Sequence, residues 1–346
     1  MVRGLAALPP RVLRRLVGRP VVVDGQQLHP EVQLALKLLE LAGEPELGDL
    51  TVSDARARVA KDARTFEGRK LEVGRVEELQ LSGAGGPVGA RRYLPGRVGA
   101  GTASEGEPLL LYFHGGGFVV CDLDTHDNVC RFLCSQSEVQ VISVDYRLAP
   151  EHPFPAASDD ALATFRDVAA RAGALGVDSR RIAVGGDSAG GNLAAGVAQS
   201  ARQDDATPAF QLLLYPWLDL SEKRQSHALF REGFYLTEAD LDWYHHHYLG
   251  DDGDPRDPRC SPLLTEQLDG VAPAYIATSG FDPLRDEGEE YARRLLAAGV
   301  PVALHRQAGI IHGFANTIAV GRVGREAMTQ AAGALRLGLA PRREAT

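Results

Sequence analysis

The chain is poor in cysteine. Cys121, Cys130, Cys134 and Cys260 are the only ones in 346 residues, too few for a disulfide-built scaffold. Cys130 and Cys134 stand four apart, but no second Cys/His pair at finger spacing completes a metal site, so both read as buried structural thiols. Positive charge is in deficit. Lys and Arg number 37 against 46 Asp and Glu, a net charge of −9, which argues against nucleic acid or an anionic membrane surface as a partner. No apolar run reaches the roughly 20 residues of a membrane span. The arginine-dotted "MVRGLAALPPRVLRRLVGRP" lacks the continuous apolar stretch of a signal peptide, so a cytoplasmic protein is expected. Internal repeats and low-complexity linkers are missing too. At 44% hydrophobic and 24% charged residues the composition is ordinary for a globular protein, and the length allows one large α/β domain or a core with an appendage.

What is present is a change of period along the chain. Residues 1–70 read as helical: "HPEVQLALKLLELAG" has apolar residues at helical spacing and ends in glycine, and "TVSDARARVAKDARTFEG" is a more polar helix. "KLEVGRVEELQLS" and "VGARRYLP" then read as strands around the turn "GAGGP". From about residue 108, strands and helices alternate. "PLLLYFHG", "VQVISVDYRLAP", "RIAVGGD", "AFQLLLYP", "PAYIATSG" and "PVALHRQ" are the strands. "AASDDALATFRDVAARAG", "SAGGNLAAGVAQSARQ", "EGEEYARRLLAAG" and "REAMTQAAGALRLGL" are the helices. This alternation predicts a mostly parallel sheet with helices on both faces. Two stretches fall outside it, the N-terminal residues 1–70 and an insert at 221–264, and they are expected to pack together on a core formed by 71–220 and 265–346.

Three consecutive glycines, Gly115 to Gly117, follow the apolar run "LYFH". Glycine costs backbone entropy inside an element, so the triplet marks a tight turn or a place where backbone N–H groups face a ligand. "GGDSAGG" contains G-x-S-x-G, with Ser188 between an apolar strand and an apolar helix. That is the setting of a nucleophile elbow, where a serine occupies a strained strand-to-helix turn and the helix N-terminus faces developing negative charge. A serine hydroxyl needs a base. In this architecture an acid and then a histidine follow the serine in chain order. Asp282, in the loop after "PAYIATSG", is the favoured acid over Asp286, which falls in a first helical turn where capping is its ordinary role. His312, after the last strand, is the favoured base over His305, which lies inside a strand. "HGGG" is then the oxyanion loop of lipases and esterases, with the N–H groups of Gly116, Gly117 and Ala189 as donors and His114 as a loop-holding residue. Phe118, Asp187, Phe234, Tyr235, Trp243 and Tyr244 are candidates for substrate contact, with packing as the competing role. His245 to His247 point about 100° apart on a helix and share one ion poorly. "DDGDPRDP" lacks the EF-hand spacing and reads as a surface turn.

Together, "HGGGF", "DYRLAPEHPFPAA", "GDSAGGNLAA", "DPLRDEG" and "HGF", in this order, resemble the bacterial hormone-sensitive-lipase-like esterases (family IV) of the α/β-hydrolase superfamily over about residues 85–320. The resemblance implies an eight-stranded, mostly parallel sheet and a helical cap built from the N-terminal helices and the insert. It also implies hydrolysis of short- to medium-chain carboxylic esters with a Ser188–Asp282–His312 triad, without metal or organic cofactor. A small-molecule ester is the expected partner, and a homodimer is compatible with the sequence. Cys121 departs from the glycine such proteins often carry beside the oxyanion loop. Two other readings stay open: an amidase or peptidase on the same fold, and a non-catalytic ligand receptor. The first usually brings a large extra domain. The second usually lacks the catalytic histidine, whereas every triad position is filled here.

Overall fold

In the computed structural model, residues 10–43, 45–96 and 106–341 are described. Eight strands form one sheet: β1 (Arg75–Gly83), β2 (Gly86–Leu94), β3 (Glu107–Phe113), β4 (Gln140–Val144), β5 (Val177–Asp187), β6 (Phe210–Leu214), β7 (Ala274–Phe281) and β8 (Val302–Ile311). Their spatial order is β1-β2-β4-β3-β5-β6-β7-β8. Only β2 runs against its neighbours β1 and β4; every other pair is parallel. The central parallel strands β3, β4, β6 and β7 are buried on both sides because helices cover both faces, whereas the edge strand β8 is exposed along much of its length. Along β3, Leu109, Leu111 and Phe113 face one buried cluster, with helices Ala156–Ala170 (α5), Ala189–Ser200 (α6) and Arg285–Ala297 (α9). Leu110 and Tyr112 face the other, with helices Asp127–Ser137 (α4) and Arg322–Gly338 (α10).

Register places the functional loops. Phe113 pairs with Gly186, and Asp187 with Leu214; Ile311 pairs with Phe281. Strands β3, β5, β7 and β8 therefore finish at the same edge of the sheet, and the residues that follow them (His114, Ser188, Asp282 and His312) emerge side by side.

Helices α1 (Pro10–Val17), α2 (Pro30–Ala42) and α3 (Val52–Phe66) precede the sheet, with a two-stranded hairpin at Val22–Val23 and Gln26–Gln27 between the first two. The insert carries α7 (Gln225–Leu229) and α8 (Glu238–Leu249). The two stretches meet over the sheet edge: Leu28 and Val32 share a buried cluster with Phe230 of the insert and Phe281 at the end of β7. Arg56 of α3 pins the N-terminal part to the core, donating to the carbonyls of Val119 and Ala149 at 2.9 Å each and to both carboxylate oxygens of Glu151 at 2.7 Å. No helix of the described residues is long and apolar enough to cross a membrane.

The hairpin at Val22–Val23 and Gln26–Gln27 lies inside a stretch that reads as helical, and two further elements differ from the sequence pattern. Helix α4 is not signalled by it, because "DNVCRFLCSQS" opens with polar residues that are nonetheless buried: Asp127 accepts from Tyr93, Arg131 and Arg91. Its Cys130 and Cys134 are free, buried thiols. Strand β8 runs past "PVALHRQ" to Ile311, through an irregular register between Gln307 and Ile311 where Gly309 takes φ 74°.

Candidate active site

Ser188 sits between β5 and α6 with φ 53° and ψ −118°. A non-glycine residue in such a region costs about 1–3 kcal/mol and persists only where its surroundings fix it. Here they do. The Ser188 N–H donates to the Leu214 carbonyl at 2.9 Å, and its own carbonyl accepts from Asn192 and Trp217 N–H at 3.1 Å each. The turn passes so close to β3 that a Cβ at Gly190 would strike the Phe113 carbonyl, and one at Gly186 would strike Gly190. That crowding is why glycines flank the serine at both G-x-S-x-G positions.

The Ser188 Oγ lies 3.0 Å from His312 Nε2, and His312 Nδ1 lies 2.8 Å from Asp282 Oδ2. Since the carboxylate only accepts, Nδ1 carries the proton and Nε2 is left to accept from the serine hydroxyl. Asp282 is fully buried, and its second oxygen accepts from the Leu284 N–H at 2.9 Å. Tyr215, which the sequence does not single out, stands edge-on to the His312 ring with centroids 4.6 Å apart. The two rivals lie elsewhere. Asp286 accepts from Ser226 N–H at 2.8 Å and from Arg285 Nε at 2.9 Å, tying α9 to α7; His305 lies exposed within β8.

Behind the triple glycine the backbone enters the left-handed region at Gly116 (φ 110°), Gly117 (φ 57°) and Phe118 (φ 65°). Val119 and Val120 N–H groups close the turn on the Gly116 carbonyl at 3.0 and 2.9 Å. Among the described residues no group accepts from the N–H of Gly116, Gly117 or Ala189. His114 is buried and stacks on Tyr146 at 4.4 Å. Its Nδ1–H donates to the Gly115 carbonyl at 2.7 Å, and burial, with His126 nearby, lowers its pKa to about 4, so it is neutral.

Asp187 lies beneath this loop and not in it. One of its oxygens accepts from Tyr112 Oη at 2.7 Å and from Gly115 N–H at 2.9 Å; the other faces Tyr215 Oη at 3.3 Å and His126 Nε2 at 3.4 Å. Burial pushes its carboxyl upward, but His126 and these donors outweigh burial and hold it at about 2. Asp187 also lines the cavity above the serine, and its oxygens are taken up by these protein donors.

Above the serine is a cavity of about 730 Å³. Gly116, Gly117, Ser188 and His312 form part of its wall, Leu28, Leu36 and Val59 come from the N-terminal stretch, and Phe234, Tyr235, Leu241 and Tyr244 from the insert. Phe234 packs against Phe230 and Phe281 with centroids 5.4 Å apart. Tyr235 is 59% exposed and covers Gly313, beside His312. Two expected substrate contacts do not reach the cavity. Phe118 is fully buried and stacks on Tyr248 at 3.8 Å and 12°. Trp243 is turned against Tyr244 and His247, edge to face at 5.3 and 4.5 Å. Cys121, Thr125, His126 and Asn316 also line the cavity, and no spacing rule points to them. Among the described residues no cluster of three or more His, Cys, Asp or Glu side chains is placed to hold a metal ion.

The geometry has counterparts. The model of the α/β hydrolase fold family matches residues 110–316. The carboxylic ester hydrolase LipN of Mycobacterium tuberculosis is 45% identical over 330 residues, covering 92% of this chain and 86% of LipN. An ethyl acetate hydrolase of Pseudomonas putida is 38% identical over 294 residues, covering 83% of this chain and 92% of its own. Among solved structures, a hyperthermophilic esterase from Pyrobaculum calidifontis superposes with a TM-score of 0.85 at 38% identity, over 90% of this chain and 99% of the esterase. On this match of sequence and fold, the chain belongs to the α/β-hydrolase fold family, as a carboxylic ester hydrolase of the hormone-sensitive-lipase-like group.

Proposed function

We propose that the chain hydrolyses short- to medium-chain carboxylic esters through an acyl-enzyme on Ser188. The observation that carries the proposal is the unbroken hydrogen-bonded relay Ser188–His312–Asp282 opening onto the cavity. His312 Nε2 takes the hydroxyl proton as Oγ bonds to the ester carbon. It then returns that proton to the departing alcohol oxygen, and Asp282 holds the ring and stabilises its charged form. The free N–H groups of Gly116, Gly117 and Ala189 receive the oxygen on which charge develops, at the N-terminus of α6. Water repeats the sequence on the acyl-enzyme and releases the acid. A cap formed by the stretch 1–70, of which residues 1–9 and 44 lie outside the described residues, and the insert 221–264 limits what reaches Ser188. The shared buried cluster of Leu28, Val32, Phe230 and Phe281 supports this division.

The test is a panel of p-nitrophenyl esters of increasing acyl length beside a matching p-nitroanilide, with wild type and Ser188→Ala. Ester turnover that vanishes in the variant, with little anilide turnover, is the expected result. Turnover that survives Ser188→Ala overturns the proposal.

A further inference from the structure

The helix of the insert that roofs the cavity also grips the loop below it. Helix α8 presents Tyr244 and Tyr248 one turn apart, hence on one face. The Tyr244 ring fills the space a side chain at Gly117 would need. Tyr248, fully buried, stacks flat on Phe118, the next residue, with centroids 3.8 Å apart and planes at 12°. Both gripped residues are left-handed, Gly117 at φ 57° and Phe118 at φ 65°. For phenylalanine that backbone is a genuine outlier, held only where neighbours over-determine it. Tyr248 is itself anchored to the core: its hydroxyl lies 3.2 Å from Ser158 Oγ and its carbonyl accepts from Phe154 N–H at 2.8 Å.

We propose that Tyr244 and Tyr248 are positioning residues for the oxyanion hole, clamping Gly117 and Phe118 so that the glycine N–H groups stay aimed at the carbonyl oxygen. The proposal rests on the reading of Gly116 and Gly117 as oxyanion donors. On it the insert contributes to the chemical step as well as to substrate choice. A tyrosine that merely walls the cavity would govern substrate fit and so KM. A clamp governs an interaction realised in the transition state and so kcat.

The variants Tyr244→Ala, Tyr244→Phe and Tyr248→Leu separate the two. Each is assayed for kcat and KM on p-nitrophenyl butyrate and for inhibition by a short alkyl trifluoromethyl ketone. With that ketone the Ser188 Oγ bonds to the carbonyl carbon, the C=O electron pair moves onto oxygen, and His312 takes the serine proton, leaving an oxyanion in the hole. Losing one such donor outright costs ~10²–10³-fold in kcat. Tyr244→Ala, which loosens the donors and also removes part of the cavity wall, is expected to lower kcat and weaken the ketone by about 10–100-fold each, more than it changes KM. Tyr244→Phe, which keeps the ring, is expected to restore both. Tyr248→Leu is expected to shift them the same way, so the proposal does not depend on one variant folding well. Unchanged kcat and ketone affinity in folded Tyr244→Ala and Tyr248→Leu, or a change confined to KM, overturns the clamp while leaving the hole intact. Ketone affinity unaltered by Ser188→Ala overturns the reading of the site itself and the clamp with it.

Discussion

Gly115 and Asp187 are joined by a hydrogen bond of 2.9 Å, from the backbone N–H of the first glycine of the triplet to the carboxylate of the residue before Ser188. It links the loop after β3 to the end of β5, the two pieces that must keep register if the proposed oxyanion hole is to form between them. The carboxylate is 3% exposed and sits among donors only.

Removing the charge at Asp187 should therefore cost stability with a definite pH dependence. Its carboxyl is depressed to about 2 from the ordinary 3.8, so its stabilisation is complete above about pH 4 and is lost as pH falls through about 2. The shift corresponds to something on the order of 2 kcal/mol. Asp187→Asn should unfold at lower urea concentration than wild type at pH 7, and the gap should close between pH 4 and pH 2. A gap that stays constant over that range would show that the lost contribution is packing and not charge.

The proposed triad carries its own expectation. Ser188→Ala and His312→Ala should each abolish nearly all ester turnover, by up to roughly 10⁶-fold, and the double variant should be little worse, because the residues act as one unit. Asp282→Asn should be severe. Asp286→Asn should be mild, since its carboxylate faces Ser226 and Arg285 and not the imidazole. Steady-state rates on one ester, with circular dichroism to confirm folding, decide it.

Gly190→Ala should fail for a steric reason alone. The new methyl would overlap the Phe113 carbonyl of the adjacent strand, which is backbone and cannot move without shifting β3. Sharply reduced yield of folded protein, or a melting temperature several degrees lower, is expected. Gly196→Ala on the same helix, where the nearest atom to a new methyl is 4.0 Å away, should melt at or above wild type because it reduces the freedom of the unfolded chain.

The contrast between those glycines shows what the sequence makes legible. Gly186 and Gly190 can be read as obligatory because the serine turn fixes their roles locally. Asp282 and His312 can be read because strand–loop order determines which edge they reach. Phe118 and Trp243 mislead: aromatic side chains beside a site read as pocket walls, but the left-handed backbone at Phe118 turns its ring into the core against Tyr248. The Trp243 ring makes its aromatic contacts on its own helix, against Tyr244 and His247, and packs against the core. Tyr215 and the cavity-facing His126 depend on contacts between distant segments, which no spacing encodes. Helix α4 escapes notice because its buried Asp127 is satisfied in part by Tyr93 and Arg91, which lie far from it in sequence.

Acyl length should be limited by the cavity. Its volume of about 730 Å³ lies within the ~300–1,000 Å³ of ordinary small-ligand sites, and it is walled by Leu28, Leu36, Phe234, Leu241 and Tyr244. Each methylene that finds room adds up to ~0.8 kcal/mol of binding, or roughly fourfold, so kcat/KM should climb at first with chain length. Beyond the end wall, further carbons must displace packed side chains, at ~1–3 kcal/mol, and the gain reverses. The optimum is therefore expected among short to medium acyl chains, with poor activity on long-chain triglycerides and no jump in rate when a substrate passes its solubility limit. Phe234→Ala should move the optimum toward longer chains, because it removes a wall residue that packs against Phe230 and Phe281. Rates across the ester series for wild type and this variant, and across the solubility limit of a long-chain ester, provide the check. A sharp rise above that limit, or a wild-type optimum at long chains, would show that the cap opens at an interface and that the cavity does not set the length.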